Sequence, residues 1–125
     1  MIIAFASSTG EKIDQHFGWS KYFYLYRIDK AGAEFLRSID AETDLEDEHE
    51  KLSFKIEALV EADIMYCTQI GPKASQMVQA AGIHPVRAAE GEALKDAIGN
   101  VVEMLNTQPP IWLLRAFHKA RQRSA

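Results

Sequence analysis

The chain opens on MIIAFA, an unbroken apolar run that is too short for a helix and is closed at once by Ser7, Ser8, Thr9 and Gly10. A strand that is apolar at both parities has no face left for solvent. It must therefore lie inside a sheet covered on both sides. That requirement selects an α/β layering, with helices above and below a central strand whose end delivers the chain into a loop.

The rest of the sequence supplies the layers. The segment TGEKIDQHFGWS mixes turn formers with isolated apolar residues and reads as a loop. KYFYLYRI and AEFLRSI, separated by Asp29-Lys30-Ala31-Gly32, read as a hairpin. Then the period changes. Leu52, Ile56, Leu59 and Val60 share one stripe of a helix expected over residues 51–62. Residues 63–67 form a short apolar strand, 71–81 a helix with Ala74, Met77, Val78 and Ala81 aligned, and 83–87 another strand. A helix over 92–105 aligns Leu94, Ile98, Val101 and Leu105. Pro109-Pro110 breaks it, and IWLLRAFHKARQR makes a last amphipathic, basic helix. With right-handed parallel crossovers and an antiparallel hairpin, this order predicts an α/β, ribonuclease-H-like fold: a five-stranded mixed sheet, opening strand in the middle, helices on both faces. Residues 1–108 form the binding domain, and 109–125 are its basic C-terminal helix or tail.

Composition narrows the function. A chain of 125 residues supports one core, and a single cysteine excludes an intramolecular disulfide or a Cys₄ metal site. A net charge of −4 implies no general nucleic-acid or membrane coat, and no apolar run reaches the roughly 20 residues that span a bilayer. The expectation is a cytoplasmic protein with no nucleic-acid or membrane partner, and a monomer, since no coiled-coil repeat appears. Residues 40–50 carry seven carboxylates and no Lys or Arg, and read as a solvated connection or a docking surface for a basic partner.

In open sheets of this kind ligands gather beyond the carboxyl ends of the parallel strands, where strand order switches direction. That places Ser7, Ser8, Thr9 and the Asp14-Gln15-His16-Phe17-Gly18 loop at one rim with Cys67, Thr68, Gln69 and Gly71. His84, early in its strand, belongs to the opposite end. His16 offers an imidazole suited to iron, or is a surface histidine; Cys67 is a thiolate ligand, or a small buried hydrophobe. Phe17, Tyr22 and Phe23 read as core beneath the loop. TGEK lacks the first glycine of a phosphate-cradling loop, because Phe5 stands there. The opening strand has no carboxylate for a two-metal nuclease. Ser7 and Ser8 stand in no recognisable nucleophile context. What remains is a binding site and not an enzyme.

IIAFASSTGEKIDQHFGWSKYF, followed by KLSFKIEALVEADIMYCTQIGPKASQMVQAAGIHPV, resembles the dinitrogenase iron-molybdenum cofactor binding family over about residues 2 to 105. The tail is most similar to its NifX branch of nitrogen-fixation proteins. The resemblance implies a small carrier that holds an iron-sulfur precursor of the iron-molybdenum cofactor, or the cofactor itself, as transient cargo and passes it between nitrogenase assembly scaffold proteins without turnover chemistry. The family's loop histidine falls on His16. The same resemblance carries Asp14, Gln15, Phe17 and Gly18 over with it as the binding loop; Ser7, Ser8, Thr9 and the backbone amides near Gly71, at the same rim, are expected to donate hydrogen bonds to an anionic cargo, and Cys67 is a candidate second metal ligand. The alternative is an interaction or regulatory module of the same assembly system that holds no cluster.

Overall fold

The computed structural model describes residues 1–124. Strand β1 (Ile2–Ala6) pairs antiparallel with β3 (Tyr22–Asp29) and parallel with β5 (Ile64–Cys67). Strand β4 (Gly32–Asp40) completes the hairpin with β3, and β6 (His84–Arg87) pairs parallel with β5. The sheet order is β4-β3-β1-β5-β6, with the opening strand in the middle. Its all-apolar sequence is explained by two cores. Ala4 and Ala6 face helices α1 (Glu48–Ala58) and α2 (Pro72–Ala80) through Leu52, Ile56, Leu59, Ala74 and Val78. Ile3 and Phe5 face α3 (Leu94–Asn106) and α4 (Ile111–Ser124) through Leu94, Ala97, Val101, Leu105, Leu113 and Ala116. Each large aliphatic or aromatic side chain so buried contributes about 1.5–3 kcal/mol. Leu113 and Ala116 place the last helix in the same core as the central strand.

Several expected boundaries shift for local reasons. The first helix begins at Glu48 rather than at residue 51, because Asp47 caps it by accepting from the Glu50 N–H at 3.0 Å, so the acidic stretch ends inside the helix it was expected to precede. It also stops at Ala58, leaving Val60 outside the helical phase and 66% exposed instead of on the buried stripe. Ala81 likewise lies just past the end of α2 and is exposed. Glu92 and Ala93, expected to open a helix, form β7 (Glu92–Ala93), which pairs antiparallel with β2 (Lys12–Ile13). This small ribbon lies outside the main sheet and turns part of the expected loop into structure, with Ile13 fully buried. Phe17 and Phe23 are core as expected. Tyr22, on the partly solvated face of the hairpin, is 39% exposed and is not. Among the described residues, no helix is long and apolar enough to cross a membrane.

Candidate functional site

Beyond β1 the chain ties itself down before reaching the loop that carries His16. The Ser7 hydroxyl oxygen accepts from the Thr9 and Gly10 N–H groups at 3.3 and 2.9 Å. The Asp14 carboxylate accepts from the Ser8 N–H at 2.9 Å and from its hydroxyl at 2.6 Å, closing residues 8–14 into a stapled loop. The chain then runs alongside the end of β5. Thr68 N–H donates to the Gln15 carbonyl at 3.0 Å, Phe17 N–H donates to the Gln69 carbonyl at 2.8 Å, and His16 bridges to Gln69 in parallel register. The His16 carbonyl accepts from the Trp19 and Ser20 N–H groups, a tight turn that brings the indole back over the imidazole with ring centroids 4.2 Å apart and planes 10° apart. From below, the buried Lys55 ammonium donates to the Phe17 and Gly18 carbonyls, each at 2.9 Å, and sits 5.6 Å from the Phe17 ring. Burial pushes the Lys55 pKa down to about 8.

His16 and Trp19 form one wall of a cleft of about 330 Å³ whose remaining lining is Gly18, Gln69, Ile70, Gly71 and Arg87. Trp19 is 73% exposed, and His16 is half-buried. At Gly18 and Gly71 a Cβ would meet no atom within 4 Å, so both glycines leave open room and bare backbone facing a visitor. Gly71 is also the N-cap of α2 and supplies no side-chain cap, so the first turn keeps N–H groups free for an anion. Arg87, the last residue of β6, adds a guanidinium. Among the described residues no group of three or more His, Cys, Asp or Glu side chains is placed to enclose a metal ion, so the cleft offers one imidazole and an electropositive surround.

Three of the residues expected from the sequence, His16, Gly18 and Gly71, line this cleft. Asp14, Ser8 and Ser7 are engaged in the loop's own bonds, and Gln15 lies beside Asp14 with its amide 3.4 Å from that carboxylate. Thr9 is exposed outside the cleft, and its hydroxyl oxygen accepts from the Glu11 N–H. Phe17 is fully buried, serving the site through its backbone. Lys12 belongs to the β2–β7 ribbon. Trp19 and Arg87 went unread. Arg87 had a signal, since it ends a parallel strand at the chosen rim; Trp19 had none, because its position depends on the turn.

Cys67 lies directly beneath, yet it is fully buried. The hydrogen bonds that carry residues 15–17 along β5 also roof it over. Desolvation pushes its thiol up to about 11 despite the opposing Arg87 charge and the Phe17 and Gln69 amides, so it is a neutral thiol near pH 7. Cys67 thus packs beneath the loop and does not line the cleft. Cys67→Ala is therefore expected to lower stability by about 1 kcal/mol while leaving ligand retention in the cleft unchanged, checked by denaturant melts beside a binding titration. His84 stands at the other end of the sheet, stacked on Trp112 with centroids 5.0 Å apart.

The family described as dinitrogenase iron-molybdenum cofactor matches residues 1–104 of the chain. Protein NifX of Herbaspirillum seropedicae is 33% identical over 125 residues, covering 98% of this chain and 86% of that protein. Protein NifX of Azotobacter vinelandii is 31% identical over 120 residues, covering 95% and 76% respectively. Among solved structures, the apo form of the orange protein from Desulfovibrio gigas is similar with a TM-score of 0.62 at 24% identity, covering 83% of this chain and 88% of that one, a likeness of fold.

Proposed function

Because the chain belongs to the dinitrogenase iron-molybdenum cofactor family, we propose that it serves nitrogenase cofactor biosynthesis as a non-enzymatic, cytoplasmic carrier. It binds an iron-sulfur precursor, or the iron-molybdenum cofactor, at His16 and hands it on to assembly scaffold proteins. The observation that carries this reading is the half-exposed imidazole beyond the carboxyl end of β5, in a cleft whose described lining holds no other His, Cys, Asp or Glu side chain. A carrier has to hold its cargo and then let it go. One imidazole leaves most metal positions of a cluster exchangeable, whereas four thiolates close a site and slow release. Such clusters are anionic and sulfide-rich, and Arg87 with the first-turn amides of α2 complements that charge. Cys67 supports the loop from inside and stays out of the ligand set. We assign the sheet to the ribonuclease-H-like class and read the protein as a monomer, with the basic helix Ile111–Ser124 part of one binding domain.

Anaerobic mixing with a preformed iron-sulfur precursor, followed by gel filtration and iron counting, tests the reading. Co-elution of iron with the chain is the expected result. Failure to co-elute, with retained binding to a scaffold protein, would overturn it in favour of an interaction module.

A further inference from the structure

A second cavity, of about 790 Å³, lies on the α3 side of the sheet and shares no lining residue with the His16 cleft. Its floor is Tyr26 of β3 and Ala33 of β4, and its wall is the face of α3 that presents Lys95, Ile98, Gly99 and Val102 at helical spacing. The groove is held open at both ends. At one end the β2–β7 pairing and the Leu94 N–H to Glu11 carbonyl bond at 2.9 Å fix the start of α3; at the other, the Asn106 side-chain amide donates to the Lys30 carbonyl at 2.9 Å.

Two features point to an occupant. Gly99 stands in the helix interior, where glycine costs about 1 kcal/mol relative to alanine. Its φ is not left-handed, and a Cβ there would meet no atom within 4 Å, so neither conformation nor packing calls for a glycine. What its missing side chain preserves is the groove. In addition, Lys12 and Lys95 both line the cavity, and among the described residues neither ammonium makes a side-chain hydrogen bond or ion pair; Glu11 is the one acid in the lining. An apolar trough with a few charged groups is the usual form of a small-molecule site.

We propose that this groove binds a free amphipathic anion, an elongated apolar body with a single carboxylate, its body along Tyr26, Ile98 and Val102 and its head at Lys12 and Lys95. From Lys95 to Val102 the wall is about 10 Å long at 1.5 Å per residue, which suits decanoate as a probe. Titration of the full chain with decanoate by calorimetry is expected to give saturable one-to-one binding. Gly99→Leu, which fills the trough from a helix-favouring position, is expected to weaken binding at least about 10-fold without lowering the melting temperature. Lys95→Gln is expected to weaken decanoate and not decanol. The proposal is overturned by absence of saturable binding, by binding that Gly99→Leu leaves unchanged, or by decanol binding as tightly as decanoate. A dimer that Gly99→Leu dissociates and decanoate does not would overturn it in favour of a second copy in the groove. None of these outcomes involves His16, so the carrier reading stands or falls separately.

Discussion

His16→Ala is expected to weaken retention of an iron-sulfur precursor by about 100-fold, or roughly 2.7 kcal/mol, with little change in the melting temperature. The effect is large because nothing else in the cleft can take over the metal bond: Arg87 and the amides of α2 attract charge without ligating iron, and Cys67 is sealed under the loop. The fold should tolerate the change, since the loop is held by backbone bonds to Gln69 and by Lys55, none of which involves the imidazole. The measurement is an anaerobic titration followed by quenching of Trp19, whose ring is 4.2 Å from that of His16, in a Trp112→Phe background that silences the other indole. Arg87→Gln provides the contrast: a loss of about 5-fold or less, shrinking further at high salt, because its contribution is electrostatic. Equal losses from both substitutions would mean that cargo is held by charge alone, and the ligand assignment would fail.

Lys55→Met is expected to change both binding and the pH dependence of stability. Its ammonium is the only side-chain donor found on the Phe17 and Gly18 carbonyls among the described residues, so the variant frees the backbone on either side of the peptide that follows Phe17. The Phe17 carbonyl keeps only the Ser20 N–H at 3.4 Å; losing a hydrogen bond from a charged donor costs about 1.5–3 kcal/mol, and loosening this turn is expected to weaken cargo retention about 10-fold. The lysine's folded pKa, about 8, lies below its ordinary value of 10.5. Its contribution to stability is therefore present above pH 10.5 and lost as pH falls through 8, because the buried ammonium is penalised while the solvated one is not. Wild type minus Lys55→Met should accordingly grow by about 3 kcal/mol between pH 7 and 10.5. Cys67 acts in the opposite sense, its thiol raised from 9.0 to about 11, so stability from that group is lost as pH rises from 9. Because Cys67 is present in both proteins, its opposing slope cancels in the difference. A difference that stays flat with pH would show that Lys55 is not a buried cation.

The layers were legible because burial leaves a periodic trace. MIIAFA announces a strand covered on both faces, and the stripes Leu52-Ile56-Leu59 and Leu94-Val101-Leu105 announce the helices that cover it. Strand polarity then sorted the histidines, placing His16 at the ligand rim and His84 at the far end. What sequence periodicity misses is contact made outside a period. The β2–β7 ribbon joins two dipeptides eighty residues apart, too short to show alternation. Val60 and Ala81 fit a helical stripe only if the helix continues, and the caps at Leu59 and Ala81 end it.

The site divides along the same line. By itself the sequence determined the order of the elements, the central place of the opening strand and the rim to which the Asp14–Gly18 segment is delivered, since these follow from hydrophobic pattern and the handedness of parallel crossovers. Only the tertiary structure decided which side chains at that rim meet solvent. Two backbone bonds laid residues 15–17 across the end of β5, leaving His16 open and roofing Cys67 over, while Asp14 turned inward to Ser8. Lys55, three residues after Leu52 and four before Leu59 on the buried stripe of α1, became the buried tie of the loop because its ammonium reaches the Phe17 and Gly18 carbonyls from the helix packed beneath them. Such choices rest on distances of a few ångströms between segments remote in the chain, and one-dimensional pattern carries no term for them.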